Sequence, residues 1–222
     1  MTAIEVDHLF VFCSPLAPEA DALVESGFAE GSPNTHAGQG TACRRFFFGN
    51  GMLEFLYVTD LDVIRHGTAE PTGLGDRWLG QDSGASPFGI CFRPVAGDNE
   101  AAPFASWTYG PKYLADGTPS YEISQRCRII EEPFAFFTPK FSRPDAYPAD
   151  RAQPLTHHNG AREISAVYLE SPYGVLPDVQ SSRIPGNLKL YRNGRHRMQI
   201  EFDCARQGQI LNLPTLPVTL LW

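Results

Sequence analysis

Glu54 is the one charge in an otherwise apolar run, Met52-Leu53-Glu54-Phe55-Leu56. In a strand alternate residues share a face, so Met52, Glu54, Leu56 and Val58 would line one side. A carboxylate there needs a cation, a metal or several hydrogen bonds, because burying its charge alone is prohibitive. The same alternation across Ile4 to Phe12 puts His8 with Val6, Phe10 and Phe12, and puts Asp7, Leu9 and Val11 on the other face. An imidazole and a carboxylate set among apolar residues are the types that hold a divalent metal or move a proton near neutral pH. Each also has a plain structural reading. Glu54 would pair with Arg44 or Arg45 on the neighbouring strand of its hairpin, and His8 would be a core histidine with its hydrogen bonds satisfied.

His36-Ala-Gly-Gln-Gly-Thr41 reads either as a plain turn or as a loop reaching a ligand with Gln39 or Thr41 as donors. It lacks the Gly-x-x-x-x-Gly-Lys pattern and runs into a strand with no helix, so nucleotide binding is rejected and no organic cofactor is expected. His157-His158-Asn159-Gly160 suggests a turn with a structural use for its histidines. No serine sits in a Gly-x-Ser-x-Gly context. Five widely spaced cysteines without a Cys-x-x-Cys pair fit neither a disulfide framework nor a zinc-thiolate site. Cys13, Cys43, Cys91 and Cys204, in or beside apolar strands, are read as small core residues.

The elements that must position these groups begin with a strand over Ile4 to Phe12, then an amphipathic helix from Pro15 to Ser26 stopped by Gly27. Phe28 to His36, with Gly31, Pro33 and Asn34, holds at most a short or irregular strand, and Ala42 to Phe48 and Met52 to Val58 bracket Gly49-Asn50-Gly51 as a tight hairpin, so the first 58 residues spell βαβββ. Thr59 to Ser86 reads as loop, with strands resuming at Pro87 to Pro94, Phe104 to Leu114 and Pro133 to Thr138. Phe141 to Thr156, with three prolines, is the linker candidate. Beyond it Ile164 to Leu169, a short helix or loop at Tyr173 to Gln180, and strands Leu188 to Tyr191 and Met198 to Cys204 about Asn193-Gly194 read as a second, degraded βαβββ. The apolar tail, Gln209 to Trp222, suits an edge strand or covering arm, and would serve a homodimer contact.

Composition narrows the function classes. At 222 residues, 42% hydrophobic and 19% charged, the chain can bury a full core. Its 25 acidic against 18 basic residues, net charge -7, oppose nucleic acid and anionic lipid. The basic run Arg192, Arg195 and Arg197 reads as a solvated turn. No secretory lead and no membrane-length apolar run are seen, so the expected setting is cytoplasmic.

Asp7-His8-Leu9-Phe10-Val11-Phe12, the loop His36 to Thr41, Phe46-Phe47-Phe48 and Met52 to Leu56 resemble the vicinal oxygen chelate superfamily of glyoxalases, bleomycin-resistance proteins and extradiol dioxygenases, and most of all its glyoxalase-like branch. The resemblance covers the first 58 residues, then Asp76 to Pro94 and His157 to Ser171. It implies an α+β fold of two βαβββ modules forming a cupped half-barrel, with extra strands inserted between them: residues 1–60 as first module, 61–156 as insertion and linker, 157–222 as second module, all in one compact domain. In metal-dependent members the first and last strands of each module each supply a ligand. His8 and Glu54 match in the first module; in the second, Glu201 matches while Ala166 stands where an echo of His8 is due. One imidazole and two carboxylates, His8, Glu54 and Glu201, would then hold a divalent ion (Zn, Ni, Mn, Fe or Mg), with Glu54 and Glu201 also carrying the chemistry. Glu201 would alternatively answer Arg195 or Arg197. His36, Gln39, Thr41, Phe10, Phe47 and Trp107, with Trp78 and Tyr109, would line the cup. The implied function is a metal-dependent lyase, isomerase or dioxygenase for a small molecule with vicinal oxygens; the alternative is a metal-free sequestering protein of bleomycin-resistance type, which the missing ligand at Ala166 favours.

Overall fold

The computed structural model describes residues 4–95, 101–114, 120–174, 176–179 and 183–222. The runs rich in β-branched and aromatic residues form β1 (Ile4–Phe12), β3 (Thr41–Phe48), β4 (Gly51–Val58) and β5 (Phe88–Pro94); β2 (Asn34–His36) is short, as its prolines and glycines require. Further strands are β6 (Ser106–Tyr109), β7 (Tyr121–Ser124), β8 (Phe134–Phe137), β9 (Ile164–Ser171), β10 (Leu188–Arg192), β11 (Arg197–Phe202), β12 (Ile210–Asn212) and β13 (Val218–Leu221). Among the described residues three short α-helices join them, α1 (Asp21–Glu25), α2 (Leu61–His66) and α3 (Leu74–Leu79), with several 3-10 turns. The expected Pro15 to Ser26 helix thus shrinks to α1 and a preceding 3-10 turn at Pro18–Ala20, because Leu16 and Ala17 take left-handed backbone, which interrupts a helix. The stretch read as loop contains α2, capped by Asp60, which accepts from the Val63 amide.

Eight strands form one curled, open half-barrel in the order β2-β3-β4-β1-β5-β8-β7-β6. Its centre is the antiparallel β1/β5 pair, flanked by the parallel pairs β1/β4 and β5/β8, so the two halves mirror each other. The α+β cup is as expected, but residues 88–137, read as inserted strands, make its second half. Residues 164–221 instead build a second, five-stranded sheet, β10-β9-β11-β13-β12. Asn193-Gly194 is not a hairpin tip there, since β10 and β11 lie on opposite sides of β9. Nor is the last strand an edge: β13 pairs with β11 and β12, and its Val218 and Leu220, with Trp222, are packed in the core. The expected helix at Tyr173 to Gln180 falls partly outside the described residues.

Two cores follow from strand alternation. On the convex side Leu9, Val11, Phe46, Phe48, Leu53 and Phe55 pack against Val167, Met198, Ile200 and Phe202 of the second sheet. Phe48 and Phe202 meet with ring centroids 4.4 Å apart. On the concave side Phe10, Phe12, Leu56, Cys91, Phe134 and Phe136 form a separate cluster, closed over by Ile64, Ala69 and Leu74 around α2 and α3. The second sheet therefore backs the cup, leaving the concave face to enclose a cavity. Cys13, Cys43, Cys91 and Cys127 are buried free thiols, whereas Cys204 is exposed in a turn of left-handed residues and is no core residue.

Candidate functional site

The concave face encloses a cavity of about 450 Å³. His8 and Phe10 of β1, and Met52, Glu54 and Leu56 of β4, line its floor, as alternation predicts. Gly89 on β5 makes room for Phe10: a Cβ there would come within 2.0 Å of the Phe10 ring. His36 and Gln39 form one wall, and Tyr109, Tyr113 and Tyr121 stand on the other half of the cup.

His8 is held from behind. A β-bulge between Val6 and His8 in the β1/β5 ladder breaks the alternation, and the Asp7 and His8 side chains meet instead of pointing apart. His8 Nδ1 lies 2.6 Å from Asp7 Oδ2. The other Asp7 oxygen accepts from Arg93 Nη1 at 2.6 Å, and Arg93 also donates to Glu5 at 2.9 Å and to the Asn50 carbonyl at 2.8 Å. Burial works against charge on all three groups, but their mutual attraction wins. Asp7 is held below the usual carboxylate range by His8 and Arg93, and His8 is raised above its ordinary value by the Glu54 charge and the Asp7 hydrogen bond.

Glu54 faces this imidazole, with Oε2 4.0 Å from His8 Nε2. Arg45 is its direct partner across the β3/β4 ladder, yet makes no ion pair with it: the guanidinium turns to the Ser32 carbonyl at 2.8 Å and the Ser32 hydroxyl at 3.0 Å. Arg44, on the other side of β3, pairs with Asp21 and Glu30 at 2.7 Å each. The structural pairing expected of Glu54 is absent, and among the described residues His8 is the one basic group within ion-pair reach of it. A 4.0 Å gap is too wide for a direct hydrogen bond and admits one bridging atom between donor and acceptor.

The remaining expected residues separate. Thr41 is fully buried behind the wall, where its hydroxyl takes a bond from Gln39 Nε2 at 2.9 Å and meets His36 Nδ1 at 2.8 Å. Burial lowers the His36 pKa. Phe47 sits at a recess beside the cup mouth, and Trp107 packs behind the concave cluster, edge-on to Tyr109. Glu201 does not reach the cup. It lies on β11 opposite Ala166, in the backing sheet, where Ser165 donates to its carboxylate at 3.3 Å. Alternation alone had no means of assigning it to a different sheet.

Asp7, Arg93 and Cys91 are missed by the sequence reading. Asp7, His8 and Cys91 bring three ligand-type atoms within 4.8 Å of one another. Both Asp7 oxygens are engaged by His8 and Arg93, so a cation at that carboxylate would face the guanidinium. The ligand set His8, Glu54 and Glu201 does not assemble, and the cup presents a two-donor pair, one short of the three protein ligands usual in a catalytic zinc centre.

Residues 6–174 match the model of the glyoxalase-like domain. The chain belongs to this family of the vicinal oxygen chelate superfamily. The matched span takes in the whole glyoxalase-like cup and the first strand of the sheet behind it. No curated protein matches the sequence. Among solved structures, a hypothetical protein from Staphylococcus aureus aligns over 98% of both chains with a TM-score of 0.56 at 11% identity. A methylmalonyl-CoA epimerase from Streptomyces coelicolor, in complex with 2-nitronate-propionyl-CoA, aligns over 64% of this chain and 100% of its own, with a TM-score of 0.41 at 12% identity. A methylmalonyl-CoA epimerase in complex with methylmalonyl-CoA and NH4+ aligns over 64% and 98%, at 0.43 and 13%. These likenesses concern the fold alone.

Proposed function

We propose that this glyoxalase-like chain is a small-molecule enzyme of lyase or isomerase type that moves a proton at a carbon beside vicinal oxygens. The observation that carries the reading is the buried pair of His8 and Glu54, 4.0 Å apart across the cavity floor, with Arg45 turned away from the carboxylate. Glu54 takes the proton from carbon. His8, whose protonated form Glu54 and Asp7 favour against its burial, donates to the oxygen on which negative charge develops. The bridge from Arg93 through Asp7 fixes the ring so that Nε2 faces the cavity, which costs no reorganisation when the charge forms. The His36 ring and the Gln39 amide stand on the wall as further hydrogen-bonding groups for a second oxygen.

No step here runs through a metal, because the donor set is incomplete for one. A divalent ion completed by substrate oxygens is the competing reading, and a purely sequestering cup, favoured by the walls of Phe10, Phe134 and Phe136, is the other. Deuterium incorporation from heavy water into phenacyl alcohol and mandelate, followed by proton NMR, separates all three when combined with elemental analysis. Wild-type protein is expected to exchange the carbon-bound proton roughly a hundredfold or more faster than Glu54→Gln, the scale of a lost general base. Near-stoichiometric metal that disappears in Glu54→Gln would replace acid–base chemistry by a metal centre, and binding without exchange would make the protein a sequestering one.

A further inference from the structure

The mouth of the cup carries positive charge in a chain of net charge -7. A recess of about 380 Å³ adjoins the cavity and shares Arg45, Phe141, Tyr147 and Arg151 with it; Lys140 completes the basic group. Arg44, Arg93, Arg126, Arg128 and Arg143 are in ion pairs, while other described arginines, Arg65, Arg77 and Arg197 among them, make none, so it is the gathering of cations at this opening that marks it. Arg45, Lys140 and Arg151 make none among the described residues, although acidic side chains outnumber basic ones. The one carboxylate lining the recess, Asp150, is exposed and pairs with none of them.

Arg45 is held ready for a ligand. Its Nε and Nη2 are fixed by Ser32, its guanidinium stands 5.1 Å over the Phe47 ring, and its Nη1 bonds to no described residue. Arg151 lies 5.9 Å over the Tyr147 ring and, with Arg45, lines both the cavity and the recess. Planar guanidinium forks braced on aromatic rings match the geometry of carboxylate and phosphate oxygens. Because Glu54 repels anions at the floor, a substrate entering here would keep its anionic end at the mouth and send its other end to His8.

We infer that the substrate is an anion, a carboxylate or phosphate ester whose charged group is clamped by Arg45 and Arg151 at the mouth while its apolar, oxygen-bearing end fills the cup. This deepens the proposed function by naming the substrate class, and it rests on that reading only for what happens at the floor. Calorimetric titration with benzoate, phenyl phosphate and neutral benzamide tests it. One of the two anions is expected to bind the wild-type protein at least about tenfold tighter than benzamide, which is the worth of one charge-assisted contact, and its identity tells carboxylate from phosphate. The Arg45→Gln/Arg151→Gln variant should lose that preference while keeping its benzamide affinity. Arg151→Gln alone, at an exposed position, should lower the preference several-fold without disturbing the fold. Glu54→Gln should keep it; wild-type protein that prefers anions but exchanges no protons overturns the catalytic reading and leaves this one. Equal affinity for the three probes, or a preference unchanged in the double variant, would overturn the anion clamp.

Discussion

At the scale of single residues, the site is a line of four groups, Arg93, Asp7, His8 and Glu54, in which each fixes the state of the next. Asp7→Asn removes the negative charge and one of the two acceptor oxygens that hold the imidazole and the buried Arg93 guanidinium. Removing one member of a buried pair costs about 3–5 kcal/mol. Asp7 is depressed in the fold, so its contribution is present above the carboxylate's unfolded value and is lost as pH falls through the lower folded one. The stability gap between wild type and Asp7→Asn in urea titrations should therefore be full at pH 7 and close toward strongly acidic pH. His8 has the opposite sign: raised in the fold, it contributes fully below about 6.5 and loses its contribution as pH rises through the folded value. Glu54 and His8 were legible from alternation because each is the odd member of an apolar face. Asp7 was not, because the alternation that assigned it to the opposite face fails at a bulge, and a bulge leaves no mark in composition.

At the scale of elements, strands and the first hairpin are legible wherever apolar alternation runs for seven or more residues, as in β1, β3, β4 and β5. The short strands β6 and β7 and helices α2 and α3 are held by tertiary contacts, which local pattern does not report. Arg77 on α3 is the clearest instance: fully buried, it donates to the carbonyls of Ser86, Cys127, Ile129 and Ile130 and fastens the segment before β8 to the helix over the cup. Arg77→Met would leave the Ser86 and Cys127 carbonyls without a partner, while Ile129 and Ile130 keep the amides of Glu132 and Ser86, at about 1–3 kcal/mol for each carbonyl that stays dry. A fall in melting temperature with accelerated exchange of amides in 126–132 is the expected result. His157 ties the chain after the cup to β3. It accepts from the Ala29 amide at 2.9 Å through Nδ1 and donates to the Phe47 carbonyl at 3.0 Å through Nε2. Burial lowers its pKa, so its contribution exists above about 6.5 and is lost as pH falls through the folded value. His157→Ala should lower the melting temperature at pH 8, by an amount that narrows below pH 6.

At the scale of the whole molecule, an eight-stranded cup rests on a five-stranded sheet, and the convex face of one is the core of both. The sequence pattern took the backing strands for the second half of the cup, since β9 and β11 repeat the apolar rhythm of β1 and β4 better than β5 to β8 do. Pairing across nearly a hundred residues, as between β1 and β5, is invisible to such a rhythm. The shared core predicts one cooperative unfolding transition, and Phe202→Ala, which empties the ring contact with Phe48, should cost about 3–5 kcal/mol to cup and backing sheet together. Two separate transitions by calorimetry would show that the sheets fold independently.

At the cup floor an imidazole whose charged form is favoured faces a carboxylate that no described arginine or lysine pairs with. The direct measurement is the pH titration of the His8 ring by nitrogen-15 NMR in wild type, Glu54→Gln and Asp7→Asn. The account predicts a wild-type midpoint above 6.5 that falls in both variants. A midpoint at or below 6.5 that Glu54→Gln leaves unmoved would contradict it.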